Sequence, residues 1–279
     1  MAMQPALSKP KLQRATAPAR APAPWSWALL GSFWGGLLMV LAFVPAQWLA
    51  QAVAMATQDH LQLQEARGTL WQGSARVVLT GGAGSRDAQA LPGRIHWTLE
   101  TKGLGGQLGL TSSCCMPQSL LLHITPEWGG ASLHMTDTPS TWPAALLSGL
   151  GAPWNTLQPE GDLTLAPKQL RLQWLSGRLL VQGGLTLTAT DMASRLTPLK
   201  PMGTYQLQLD AGATATATPG LKLTTVSGSL LLSGQGQWVG QRLRFQGEAS
   251  ALPEHEAVLN NLLSIIGRRE GTRSLLSWG

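Results

Sequence analysis

Apolar and polar residues alternate along most of this chain, and that period of two predicts half-buried strands. In Arg94-Ile-His-Trp-Thr-Leu-Glu100, the side chains of Ile95, Trp97 and Leu99 share one face. Gln169-Leu-Arg-Leu-Gln-Trp-Leu175 repeats the pattern with Leu170, Leu172 and Trp174. In Gln241-Arg-Leu-Arg-Phe-Gln246, Leu243 and Phe245 are expected inside and Arg242, Arg244 and Gln246 outside. Similar runs recur near 74–80, 119–125, 130–136, 161–166, 179–189, 203–210, 221–226 and 228–233, with Gly and Pro between them, as turns require. A loose Gly-x-Leu-x-Leu repeat begins at Gly161, Gly184 (one residue shorter), Gly203 and Gly228. It suggests hairpins laid side by side. The expected fold is mainly β: an antiparallel meandering sheet, curled or folded over to cover its apolar face.

Two stretches break the alternation. Thr141-Trp-Pro-Ala-Ala-Leu-Leu-Ser-Gly-Leu150 suits a short helix. A longer helix is expected over 254–266, with Pro253 in its first turn, Glu254 and Glu256 at its positive end and Gly267 to stop it. Leu259, Leu262, Leu263 and Ile266 then form one stripe, expected to pack against the sheet.

Charge changes the picture at the other end. No Asp, Glu, Lys or Arg lies between Arg20 and Asp59. Inside that gap, Trp25 to Val44 is an apolar run closed by Pro45, and roughly 20 such residues span a bilayer as one helix. Lys9, Lys11, Arg14 and Arg20 precede it without an acidic residue, which predicts a cytoplasmic N-terminus. Trp25, Trp27 and Trp48 are placed for the two membrane–water interfaces. The expected organisation is a disordered basic flank over 1–24, a transmembrane helix over 25–48 and a connecting segment over 49–67. A β-rich domain over 68–279 follows, across the membrane from the basic flank, which is the periplasm if the host is a Gram-negative bacterium. A cleaved signal peptide is the competing reading, because Ala52-Val-Ala54 and Ala54-Met-Ala56 have the small-residue pattern of a cleavage site. The long leader and the length of the run argue for an anchor.

The formal charge of +6 belongs mostly to the flank. Four of the 20 Lys and Arg precede the span, which leaves 16 against all 14 acidic residues. A tail so nearly balanced gives no reason to expect nucleic acid. Cys114 and Cys115 are the only cysteines. They can close a vicinal disulfide or link to another chain, but cannot staple distant parts of the fold. His60, His96, His123, His134 and His255 lack metal-ligand spacing, and His96, His123 and His134 fall in the polar register of their strands. There is no Gly-x-Ser-x-Gly elbow and no Ser-x-x-Lys motif. No enzyme, cofactor or metal is expected.

Several stretches resemble one family in order along the chain. They are Gly68-Thr-Leu-Trp71-Gln-Gly73; Leu150-Gly-Ala-Pro-Trp154-Asn155-Thr-Leu-Gln-Pro-Glu-Gly161; and Pro201-Met-Gly-Thr-Tyr-Gln-Leu207. Thr225-Val-Ser-Gly-Ser-Leu-Leu-Leu-Ser-Gly-Gln-Gly-Gln-Trp238 and Leu262-Leu-Ser-Ile-Ile-Gly267-Arg268-Arg269-Glu-Gly271 complete the set. Together they resemble the N component of bacterial type II secretion, also called general secretion pathway protein N. The resemblance implies a single-pass inner-membrane protein with a mostly β periplasmic domain and no catalytic residues. It implies a structural or assembly role in moving folded proteins from the periplasm across the outer membrane. The implied partners are other inner-membrane components with periplasmic domains and the outer-membrane secretin. Gly68, Trp71, Gly73, Trp154, Asn155, Gly267, Arg268, Arg269 and Gly271 are the motif residues where partner contacts are expected. An alternative is a lipid-handling β domain of the AsmA-like or lipopolysaccharide-export kind. Leu121, Leu175, Leu180 and Leu231 fall opposite the main apolar register, and a sheet greasy on both faces must cover the second.

Overall fold

The computed structural model describes residues 25–212, 219–239 and 242–279. The basic flank expected over 1–24, and Gln241 of the last alternating run, lie outside the described residues. The chain divides into two units, Met1–Ala42 and Phe43–Gly279. Within the first, helix α1 (Trp25–Ala42) has 18 residues and no charge. Its large side chains are uncovered; Leu29, Phe33 and Leu38 are each more than three-fifths exposed. By combined length and hydropathy, no helix among the described residues is long and apolar enough to cross a membrane.

The second unit is a meander. Helix α2 (Ala46–Ala56) starts directly after Pro45, which fixes a φ suited to a helix entrance. The strands β1 (Leu61–Gly68), β2 (Gln72–Thr80), β3 (Ala88–Ala90) and β4 (Ile95–Lys102) follow. Next come β5 (Gly105–Ser112), β6 (Met116–Glu127), β7 (Gly130–Met135) and β8 (Ser140–Pro143). A 3₁₀ turn (Ala144–Leu150) and the one-turn helix α3 (Trp154–Leu157) lead to the long strands β9 (Pro159–Leu175) and β10 (Arg178–Ser194). The chain continues through β11 (Gly203–Asp210), β12 (Gly220–Gly228), β13 (Leu230–Val239) and β14 (Arg242–Ala251). A second 3₁₀ turn (Pro253–His255), helix α4 (Glu256–Ile266), β15 (Arg268–Glu270) and β16 (Arg273–Trp278) close it.

Among the described residues these sixteen strands form one antiparallel sheet, ordered β1-β2-β4-β5-β6-β7-β9-β10-β11-β12-β13-β14-β16-β15, with β3 beside β2 and β8 beside β9. The mainly antiparallel β fold with a helix near its C-terminus is the one the alternation predicts. Residues directly opposite in such a sheet share a face. Leu165, Leu187, Leu207 and Leu223 therefore form an apolar row across β9 to β12. Lys222, Gln235, Arg244 and Gln246 lie on the other, polar face, beside a groove there.

The apolar face is covered from two sides. Leu259, Leu262 and Leu263 of α4 are at most 2% exposed and pack on Met202, Tyr205, Leu230 and Ala249. Each such leucine contributes about 1.5–3 kcal/mol. On the N-terminal side, Ala46 and Leu49 of α2 pack on Ala75 and Trp97, while Leu146 of the first 3₁₀ turn meets Val77, Leu91 and Cys115.

The structure differs from the sequence expectations at three places. Residues 49–67, expected to be a connection, hold most of α2 and almost all of β1; Pro45 interrupts the expected helix 25–48 between α1 and α2. The helix expected over 141–150 is β8 followed by the 3₁₀ turn, because Thr141 to Pro143 pair with β9. The chain after Gly267 is a hairpin, with Arg268 to Glu270 paired to Arg273 to Leu275.

Candidate interaction surfaces

The motif residues occupy turns and helix ends that hold the sheet together. Gly68 has φ +91°, and a Cβ there would lie 2.4 Å from the Gln72 carbonyl oxygen. A Cβ on Gly73 would strike the Trp97 ring at 2.4 Å. Trp97, 4% exposed, donates its indole N–H toward the carbonyls of Thr69 (3.3 Å) and Leu70 (3.1 Å). The Gly68–Gly73 motif is thus a turn that lets a buried tryptophan lie flat beneath it. Trp71 accepts the Leu99 N–H on its carbonyl at 2.6 Å.

The second motif sits in α3. Asn155 Nδ2 donates to Asp87 Oδ2 at 3.1 Å, which ties α3 to the β2–β3 connection. Trp154, 36% exposed, reaches the edge of an apolar cavity of about 460 Å³. Leu147 and Leu157 wall it on one side, Leu262 and Ile266 of α4 on the other, and Leu187, Leu207 and Leu223 of the sheet form its floor. Tyr205 also lines it; its hydroxyl is buried without a hydrogen-bond partner among the described residues. Burial pushes this phenol well above its ordinary value. The long-range contact between α3, α4 and six strands left no local pattern in the sequence, so the cavity was not legible there.

The third set closes the sheet. Gly267 ends α4, and a Cβ there would lie 2.5 Å from the Leu275 carbonyl oxygen. Gly271, φ +63°, sits in the turn between β15 and β16. Ser274, fully buried, donates to the Leu263 carbonyl at 2.6 Å and joins β16 to α4. Arg269 approaches Glu256 at 3.6 Å and Arg273 approaches Glu248 at 3.2 Å. Arg268 stands exposed in β15, at the sheet edge. The basic cluster is therefore partly engaged within the fold.

The family model for type II secretion system protein N matches residues 59–275, which takes in almost the whole sheet. The chain belongs to that family. No curated protein and no solved structure matches it. Membership makes this chain a component of type II secretion, a membrane-associated machinery, and implies that it works with other type II secretion components.

In this family member Cys114 and Cys115 are bonded to each other at the β5–β6 turn. Cys115 is 2% exposed inside the Val77 and Leu146 cluster, and its carbonyl accepts the Thr141 N–H at 2.9 Å. His123 and His134 face each other across β6 and β7, with ring centroids 6.4 Å apart. Strand pairing brings them together, which their spacing in sequence could not reveal. Among the described residues no three His, Cys, Asp or Glu come close enough to hold a metal ion. Glu160 Oε2 accepts a bond from Lys200 Nζ at 2.6 Å, with Arg195 at 3.9 Å. That hydrogen bond first, and the two positive charges after it, hold its carboxyl below the ordinary value.

Proposed function

We propose that this protein is a non-enzymatic, single-pass inner-membrane component of the type II secretion machinery. Its role is structural or in assembly, during export of folded proteins from the periplasm across the outer membrane. The family match over the sheet carries the reading. The anchor is the charge-free run from Trp25 to Val44, of which α1 forms 18 residues. At 1.5 Å per residue α1 alone is about 27 Å long, at the short end for a hydrocarbon core of about 30 Å. Phe43 and Val44 extend the run, and Trp25, Trp27 and Trp48 suit its two interfaces. The basic flank keeps the N-terminus in the cytoplasm and the sheet in the periplasm. The partners are inner-membrane components with periplasmic domains and the secretin, met through sheet edges. Strand β1 at one edge and β15 at the other can each take an added strand.

Deletion of the gene should leave exported enzymes synthesised and delivered to the periplasm, with the defect confined to crossing the outer membrane. Crosslinkers along β1 should capture secretion components. Normal export together with no such neighbour would sink the proposal. The second reading, an AsmA-like lipid-handling domain, is favoured by one observation, the apolar cavity between α3 and α4. Native mass spectrometry of the purified protein decides it: a co-purified lipid supports that reading, and a bare protein mass removes it.

A further inference from the structure

In an antiparallel meander alternate connections fall at the same end of the sheet. One end of this sheet carries the β1–β2, β4–β5, β6–β7 and β9–β10 connections. Two of the large apolar side chains at the tips of these hairpins are wholly uncovered. Leu104, between β4 and β5, is 96% exposed, and Trp128, between β6 and β7, is fully exposed. Tight turns are built from Gly, Asn, Asp and Ser, and neither side chain packs in any core cluster of the fold.

Just below the tips no described residue covers the apolar face of the sheet. Ala131, Trp174 and Leu179 lie opposite one another in a row across β7, β9 and β10. Ile124, Leu133, Leu172 and Val181 form the next row down. Exposure rises steadily along β9, from 8% at Leu170, through a half-buried Leu172, to 58% at Trp174. The helices cover the other end of this face and leave this one open.

The chain also enters the sheet here. The Leu70 N–H donates to the Val44 carbonyl at 2.8 Å, and Pro45 forms a β-bridge with Thr69. Val44 and Pro45 follow α1 almost at once in sequence. Lys102 and Arg178 flank the tips, with Glu127 beside Trp128. Indole rings favour the membrane–water boundary, and lysine and arginine beside them suit phospholipid headgroups.

We propose that this end of the sheet docks on the bilayer, with Leu104 and Trp128 dipping into the interfacial layer and Trp174 and Leu179 lying against it. The partner is the outer leaflet of the same membrane that α1 enters, so the inference rests on the anchor reading for which bilayer is touched. A surface-docked sheet would hold its polar face and edges at a fixed height for protein partners.

The test uses the full chain reconstituted in phosphatidylcholine–phosphatidylglycerol vesicles. A genetically encoded coumarin residue replaces Leu104, Trp128 or, at the opposite end of the sheet, Ser113. Vesicles with and without doxyl-labelled lipid report contact with the membrane. We expect about twofold quenching at 104 and 128 and none at 113, as interfacial depth requires. Alkaline carbonate extraction of the unsubstituted protein reports the anchor separately. Unquenched tips on a chain that resists extraction overturn the docking and leave the anchor standing. Quenched tips on a chain that carbonate releases keep the docking and remove the anchor. Equal quenching at all three positions also overturns the proposal, because it means that the sheet has no preferred end.

Discussion

The two ends of the apolar face have the same residue types and opposite fates. At one end Leu259, Leu262 and Leu263 press onto Tyr205, Leu230 and Ala249 and bury them. At the other, Trp174, Leu179 and Ile124 continue the same face without a helix above them. The difference lies in the connections. Where the chain turns back through α3 or α4 it brings its own cover; where it turns through a tight hairpin it brings none. A sheet this long thus divides its work: one end makes stability and the other leaves apolar surface available for a partner.

The largest expected effect tests that division directly. Leu263→Ala removes a fully buried side chain and should cost about 2–5 kcal/mol. Trp174→Ser, at 58% exposure, should cost about 1 kcal/mol or less. Thermal melts of the full chain in detergent compare the two. Equal losses would mean that the open end is packed in solution, by a second copy or by detergent, and the comparison would fail. An unchanged melting temperature for Leu263→Ala with impaired secretion would instead make the α4 stripe a partner surface.

Next is the seam between α4 and the sheet. Ser274→Ala leaves the buried Leu263 carbonyl without its 2.6 Å donor. The expected cost is about 1–3 kcal/mol, seen as faster hydrogen exchange in α4 before the rest of the sheet opens. Uniform loss of protection across the sheet would show that α4 does not open separately.

Much of this architecture was legible. The alternation in 94–100 and 169–175 reports β4 and β9, and Trp97 and Leu170 are buried as their register requires. The stripe of α4 is buried at Leu259, Leu262 and Leu263. Strand β1 was visible in principle, because Leu61 and Leu63 alternate with Gln62 and Gln64; the nearby charge-free run made the segment look like a tether. Strand β15 was not visible, since Arg268-Arg-Glu270 has no apolar position and takes its place by pairing with β16. Trp174 lies in register with Leu170 and Leu172 yet stands exposed. Periodicity says which face a residue is on; only docking of distant elements decides whether that face is covered.

A third test carries the opposite sign. The Tyr205 hydroxyl is buried beside the cavity with no partner among the described residues, so it gives up hydration and recovers nothing. Tyr205→Phe should stabilise the protein by about 1 kcal/mol. A loss of similar size would reveal a hydrogen bond supplied by a bound molecule, and would send attention back to the cavity.

The smallest effect concerns the loop that brings the chain from β10 to β11. Glu160 accepts from Lys200 at 2.6 Å and has Arg195 within 3.9 Å. The hydrogen bond, then the two charges, lower its folded-state pKa. The unfolded chain therefore binds this proton more readily than the folded one. The contribution is complete above the ordinary carboxylate pKa and is lost as pH falls through the lowered, folded value. The site is open to solvent, so the contribution is small and screened by salt. Glu160→Gln should melt slightly below the unsubstituted protein at about pH 7, and the gap should close as pH falls through the lowered, folded value. High salt should narrow it at neutral pH. A gap that stays constant across both changes would mean that Glu160 acts through its shape in β9 and not through its charge.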